Sequence, residues 1–218
     1  MFKGAVFDVD GTLVDSLFIW GVLWSGIGKT YAGDASFRPR PEDDKKIRTM
    51  LLKDTMALLH TQYGLGESGE ELLAFANRLI ERFYREEICL KDGVTDFLEY
   101  LKAQNIPMCI ATANSEKLIR LAMQRCGLDR YFSKVISCYD VGKGKDEPHV
   151  FLEASRYLGT SVAQTCVFED SLTAVKTAKK AGFQTVAIYD EKNYGQEELA
   201  KTADVYIPKG KTLKMLIL

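Results

Sequence analysis

The chain reads as an α/β protein, a parallel sheet with helices between its strands, interrupted early by an all-helical insert. Three observations predict this. From about residue 93 onward, helix-period and strand-like segments alternate. A short apolar strand, residues 3 to 9, stands apart near the amino end, and residues 16 to 90 between them carry helical stretches with no strand pattern. The core is therefore expected over 1–15 and 91–218, and the insert over 16–90.

Each element has its own pattern. Val94, Phe97, Leu98 and Leu101 form one apolar helical face, and residues 106 to 111 follow as a strand. Leu118, Leu121 and Ala122 begin another helix, ahead of a strand over 134–138. Phe151, Ala154 and Leu158 mark the next helix, residues 165–168 a strand, 171–181 a helix and 184–188 a strand, with Val205 to Ile207 closing the sheet. In the insert, Leu72, Phe75, Ala76, Leu79 and Phe83 share a helical face, whereas Gly33 to Asp44, with Pro39 and Pro41, read as a loop. Because the insert interrupts the chain just after the first strand, it is expected over the carboxyl edge of the sheet, as a lid.

Composition narrows the function classes. The 218 residues are 46% hydrophobic, enough for a packed interior, and 29 basic against 30 acidic side chains leave a net charge of -1. No global field favours nucleic acid or an anionic membrane, so an anion must be caught locally. Cys89, Cys109, Cys126, Cys138 and Cys166 contain no C-x-x-C pair, which argues against a disulfide framework or a zinc site. With no signal-like amino terminus and no membrane-length apolar run, a cytoplasmic protein is expected, monomeric by default.

The chemistry is written at strand ends. Asp8 and Asp10 leave the first strand two residues apart and on one side, so both reach one ligand. Two carboxylates so close repel, and a divalent cation would relieve them. Three further pieces end strands: Thr112-Ala113-Asn114-Ser115, the loop with Lys143 and Lys145, and Glu169-Asp170-Ser171. In parallel α/β sheets such ends converge on the ligand site.

Asp8-x-Asp10-Gly11-Thr12-Leu13-Val14-Asp15-Ser16, Thr112-Ala113-Asn114, Lys145 with Pro148 and Phe151, and Val167-Phe168-Glu169-Asp170-Ser171 together resemble the four motifs of the haloacid dehalogenase superfamily, in order and over nearly the whole chain. The branch resembled is that of the phosphatases and β-phosphoglucomutase-like enzymes, with a Rossmann-like core and a helical cap between the first two motifs. The resemblance implies Asp8 as nucleophile and Asp10 as acid and base. It implies magnesium held by Asp8, the Asp10 carbonyl, Asp170 and Glu169, and phosphate held by Thr112, the Asn114 amide and Lys145. The chain has Asp146 and His149 where the family often carries proline and aspartate.

The implied function is magnesium-dependent hydrolysis of a small phosphorylated metabolite, such as a sugar phosphate, through an aspartyl-phosphate. Alternatives are β-phosphoglucomutase-like transfer, against which the stretch Leu52 to Met56 lacks an arginine, and a non-catalytic phospholigand-binding module. Dehalogenation has no use for Asp10. Lys143 competes with Lys145 for the phosphate, and Glu169 has a second reading as a carboxylate favouring a helix amino end.

Other features take structural readings. His60 and His149 receive no role. Gly64 to Gly69 fits G-x-G-x-x-G without a preceding strand and reads as a helix-to-helix turn, and Gly28-Lys29-Thr30 lacks the upstream glycine of a phosphate loop. Trp20, Trp24 and Tyr31 read as packing residues. Arg38, Arg40, Arg48 and Lys53 are candidates for a second anionic group.

Overall fold

Gly4–Phe7 forms strand β1, and all four residues are buried because helices cover both faces of the sheet it centres. The computed structural model describes residues 2–47 (backbone only at 45 and 46), 50 and 52–217. Within them the chain divides into two compact units, Met1–Leu17 with Ile88–Leu218, and Phe18–Glu87.

In the first unit, β1 is followed by a two-residue strand, β2 (Val14–Asp15), which pairs antiparallel with β3 (Cys89–Leu90). The second unit lies between β2 and β3 in the chain. It holds α1 (Ile19–Ile27) continuing into a π-helical turn, Gly28–Ala32, then α2 (Pro41–Ile47), α3 (Leu52–Tyr63) and α4 (Gly69–Glu86). The first unit resumes with α5 (Val94–Ala103), β4 (Met108–Thr112), α6 (Glu116–Cys126), β5 (Val135–Ser137) and α7 (Cys138–Val141). It ends with α8 (His149–Leu158), β6 (Thr165–Glu169), α9 (Leu172–Lys180), β7 (Gln184–Ile188), α10 (Gln196–Thr202) and β8 (Val205–Ile207).

The main sheet is parallel in the order β5-β4-β1-β6-β7-β8. After β1 the chain builds outward on one side through β4 and β5, then crosses to β6 on the other. The end of β1 is thus a topological switch point, where such sheets open a crevice. Alternation of side chains divides the core. Phe7 and Phe168 stack with ring centroids 4.4 Å apart, and Phe97 of α5 lies 5.4 Å from Phe168. Val6, Val167, Val150, Phe151 and Ala154 pack together in a separate cluster with α8 and α9 residues. Each buried large apolar side chain contributes on the order of 1.5–3 kcal/mol, which holds the strand ends in fixed register.

In the helical unit, α4 starts where Ser68 accepts the Glu71 amide at 3.1 Å while the Glu71 carboxylate accepts the Glu67 amide at 2.7 Å. Ser68→Ala removes one of these caps at a cost of about 1 kcal/mol. Gly64 and Gly66, at positive φ, turn the chain between α3 and α4, so the G-x-G-x-x-G stretch is an inter-helical connection.

Two expectations need correction, and two helices are added. Residues 41 to 44 are helical rather than part of a loop, because Pro41 starts α2 with its ring pre-set for the first turn, and Glu42, Asp43 and Asp44 follow at the positive end. Residues 16 to 90 do contain strand, the ribbon partner Cys89–Leu90. Helices α7 and α10 were not foreseen; each is too short to show a full apolar period. Among the described residues no helix is long and apolar enough to cross a membrane.

Candidate active site

The register of β1 assembles the site. Phe7 pairs with Phe168 on one side and Ile110 on the other, so Asp8, one residue on, emerges beside Glu169, and Thr112 ends the opposite neighbour. The Asp8 amide still bonds the Phe168 carbonyl at 3.0 Å, fixing the backbone from which the carboxylate projects.

Carboxylate oxygens of Asp8, Glu169 and Asp170 lie within 4.8 Å of one another, and all three residues are buried. Lys145 donates to Asp8 and, at 2.5 Å, to Glu169. Its loop is held by the Glu147 amide on the Gly144 carbonyl at 3.1 Å and by Thr177 on the Asp146 carbonyl at 3.2 Å. Lys143 instead points to Glu147, 2.8 Å away and exposed. The structure therefore places Lys145 in the cluster and Lys143 outside it.

Both oxygens of Glu169 are engaged. Its second oxygen accepts the Asp170 and Ser171 amides at 3.1 and 3.0 Å, so it organises the turn into α9 as well as meeting Lys145. Asp170 accepts Thr12 Oγ1 at 3.1 Å on one oxygen and Asn193 Nδ2 on the other.

Burial pushes the Asp8 carboxyl up to about 8; Lys145 opposes this, while Glu169 and Asp10 add to it. Asp170 is raised by burial first, then by Glu169 and Asp8. Burial alone would lower Lys145, but its two carboxylate partners outweigh that and keep it charged. Three carboxylates against one ammonium leave two negative charges when all ionise. The donors are oxygen only, and the deficit matches one hard divalent cation, so the residues fit the magnesium that the motifs imply.

The Asp10 carboxylate has partners of its own. Ser16 Oγ donates to one of its oxygens at 2.7 Å and Asn114 Nδ2 to the other at 2.7 Å. The Asn114 carbonyl is in turn held by Ser137 Oγ at 2.7 Å, and its amide by Thr112 Oγ1 at 3.0 Å. Ser115 caps α6, its hydroxyl accepting the Leu118 amide at 3.4 Å. Sequence reasoning assigned only the amide of Asn114; its side chain and Ser16, as partners of Asp10, were missed. The signal for Ser16 was its place at the end of the first motif.

Several candidates are committed elsewhere. Arg40 pairs with Asp43 at 2.8 Å and lies over the Tyr63 ring, and Arg38 donates to the Phe37 carbonyl at 2.6 Å. Lys53 is exposed on α3, and Arg48 lies outside the described residues. Trp24 donates to Asp44 at 3.2 Å and packs on Trp20, while Tyr31 meets Phe75 edge-on. His60 Nδ1 lies 3.1 Å from the Leu65 carbonyl, and His149 is an exposed neighbour of Glu147.

A parallel α/β core with a carboxylate nucleophile candidate at its switch point defines a class of hydrolytic and phosphoryl-transfer enzymes. The profile of haloacid dehalogenase-like hydrolases matches residues 2–182, and the chain belongs to that family. It is 24% identical over 185 residues to a phosphorylated carbohydrates phosphatase of Thermotoga maritima, covering 84% of this chain and 83% of that one. It is 27% identical to the validoxylamine A 7'-phosphate phosphatase of Streptomyces hygroscopicus subsp. limoneus, covering 86% of each. A Thermotoga maritima structure provisionally described as a β-phosphoglucomutase superposes with a TM-score of 0.82 at 23% identity, covering 98% of both chains, which bears on the fold.

Proposed function

We propose that the protein is a magnesium-dependent phosphatase acting on a small phosphorylated metabolite, a sugar phosphate or related phosphomonoester. The observation that carries this reading is the division of labour between the two first-motif carboxylates. Asp8 sits among Lys145, Glu169 and Asp170, where negative charge is concentrated and a cation fits. Asp10 is held instead by the neutral donors Ser16 and Asn114.

Asp8 attacks phosphorus, the ester P–O bond breaks, and the leaving oxygen takes a proton from Asp10. Water, deprotonated by Asp10, then attacks the aspartyl-phosphate, releasing inorganic phosphate and restoring Asp8. The Ser16 hydroxyl, which donates to Asp10 here, can turn to accept when the carboxyl carries the proton, so it serves both halves of the cycle. Lys145 and the Thr112 hydroxyl hold the phosphoryl oxygens, joined by the Asn114 amide as it exchanges its bond to Thr112 Oγ1 for one to phosphate, and Asp8, Asp170, the Asp10 carbonyl and Glu169 would hold the metal. Magnesium, when bound, supplies the positive charge that lets an anionic nucleophile approach an anionic ester. Phosphatase relatives acting on phosphorylated carbohydrates support this substrate class. The helical unit, spliced in between β2 and β3, is assigned the role of substrate selection.

The test is release of inorganic phosphate from an aryl phosphate and a panel of sugar phosphates, with and without magnesium, for the wild type and Asp8→Asn. Magnesium-dependent release lost in Asp8→Asn is expected. Equal rates for both proteins would overturn the reading, and transfer of phosphate between sugars without release would favour the mutase.

A further inference from the structure

The segment after β7, Tyr189 to Gly195, returns to the acidic cluster. Asn193 Nδ2 donates to Asp170 Oδ2 and also lies 3.3 Å from the Asp170 carbonyl oxygen. The turn that presents it is closed by the Asn193 amide on the Asp190 carbonyl at 3.2 Å and by the Lys192 amide on Asp190 Oδ1 at 2.9 Å. Gln196 adds a bond to the Asp190 carbonyl at 2.9 Å, and Tyr206 braces Gln196 at 3.1 Å.

Asp190 is itself anchored. Its carboxylate is buried and takes Lys91 Nζ at 2.7 Å, while the Lys91 amide bonds the Leu13 carbonyl at 2.9 Å, at the end of the first-motif turn. Lys91 directly follows β3, so one ion pair ties the ribbon to the segment that carries Asn193.

The donors on Asp170 differ in kind from that on Asp8. Thr12 and Asn193 are neutral, one on each oxygen, whereas Asp8 and Glu169 receive an ammonium. Neutral donors fix the plane of a carboxylate without cancelling its charge. A carboxylate has about four lone-pair sites, so each oxygen of Asp170 keeps one for a cation.

We propose that Asn193, locked by the Asp190–Lys91 pair, is a positioning residue that orients Asp170 for the divalent cation and so sets metal affinity. This rests on the metal-dependent reading above and adds a determinant far from the four motifs in sequence. Partners of this kind, one bond removed from a metal, commonly change affinity by about 10- to 100-fold when removed.

The experiment is calorimetric titration of metal-stripped protein with magnesium alone, for the wild type, Asn193→Ala, Asp190→Asn and the exposed neighbour Glu191→Gln. About 10-fold or greater weakening is expected for Asn193→Ala, with Asp190→Asn weakened in the same direction and Glu191→Gln within about twofold of wild type. In aryl phosphate turnover, the magnesium concentration for half activation should rise by the same factor in Asn193→Ala while kcat at saturating magnesium is kept. A merely structural role would lower kcat and thermal stability without moving the titration. Wild-type magnesium affinity in Asn193→Ala overturns this inference alone; absence of magnesium binding in the wild type overturns it together with the metal-dependent reading.

Discussion

A Cβ placed on Gly11 would lie 2.1 Å from Oδ2 of Asp170, and Gly11 has a φ of 81°. The first-motif turn therefore closes on the fourth motif with no room for a side chain. Gly11→Ala combines backbone strain with a collision. Gly210, at φ 76° and facing open space, isolates the strain alone. Gly210→Ala should cost about 1 kcal/mol and Gly11→Ala on the order of 1–3 kcal/mol more, read by urea denaturation. Equal costs would mean that Asp170 yields freely.

Magnesium should stabilise the fold, and more so at higher pH. The Asp8 carboxyl is raised to about 8, above its value in the unfolded chain. Its contribution to metal-free stability is therefore present below about pH 4 and is lost as pH rises towards 8, with a slope of about 1.4 kcal/mol per pH unit per proton. On the proposed function magnesium binds the ionised form, so the rise in Tm on adding it should grow between pH 5.5 and 8. A shift independent of pH would mean that Asp8 binds the metal without losing a proton.

Ser16 and Asn114 hold Asp10, not the acidic cluster. Ser16→Ala should slow hydrolysis of alkyl phosphates by about 10-fold, less than the ~10²–10⁴ expected for Asp10→Asn, and should leave the magnesium titration unchanged. Aryl phosphates, whose leaving groups need less protonation, should show a smaller defect. A matching loss of magnesium affinity would place Ser16 in the metal site instead.

Burial raises the thiols of Cys109, to about 12, and Cys166, while Cys89 is exposed. Native protein at pH 8 should be alkylated at Cys89 and not at Cys109 or Cys166 until it unfolds, as peptide mass spectrometry would read. Because both buried values lie above those of the unfolded chain, their stabilising contribution is complete below about pH 9 and declines above it. Stability unchanged from pH 9 to 11 would contradict this.

Residues at strand ends were legible because apolar runs stop where polar residues begin: Thr112 and Glu169 end buried strands, Asp8 and Asp170 directly follow them, and the sheet register brings them together. Lys145 was separable from Lys143 only by a downstream proline, and three-dimensional placement then divides them clearly. Asn193 left no local trace. It meets Asp170 from 23 residues away through a turn whose sequence has no apolar period, and its role exists only in the folded packing of two loops. The β2–β3 ribbon was hidden for a related reason, since two-residue strands bury too little to show alternation.

The most direct measurement is chemical trapping at residue 8. An aryl phosphate is mixed with Asp10→Asn protein and magnesium, quenched in acid and reduced with borohydride, which converts an aspartyl-phosphate to homoserine. The account predicts homoserine at position 8, dependent on substrate and accumulating because this variant lacks the base for the second step. Steady turnover by the wild type with no trapped residue at position 8 in either protein would contradict it.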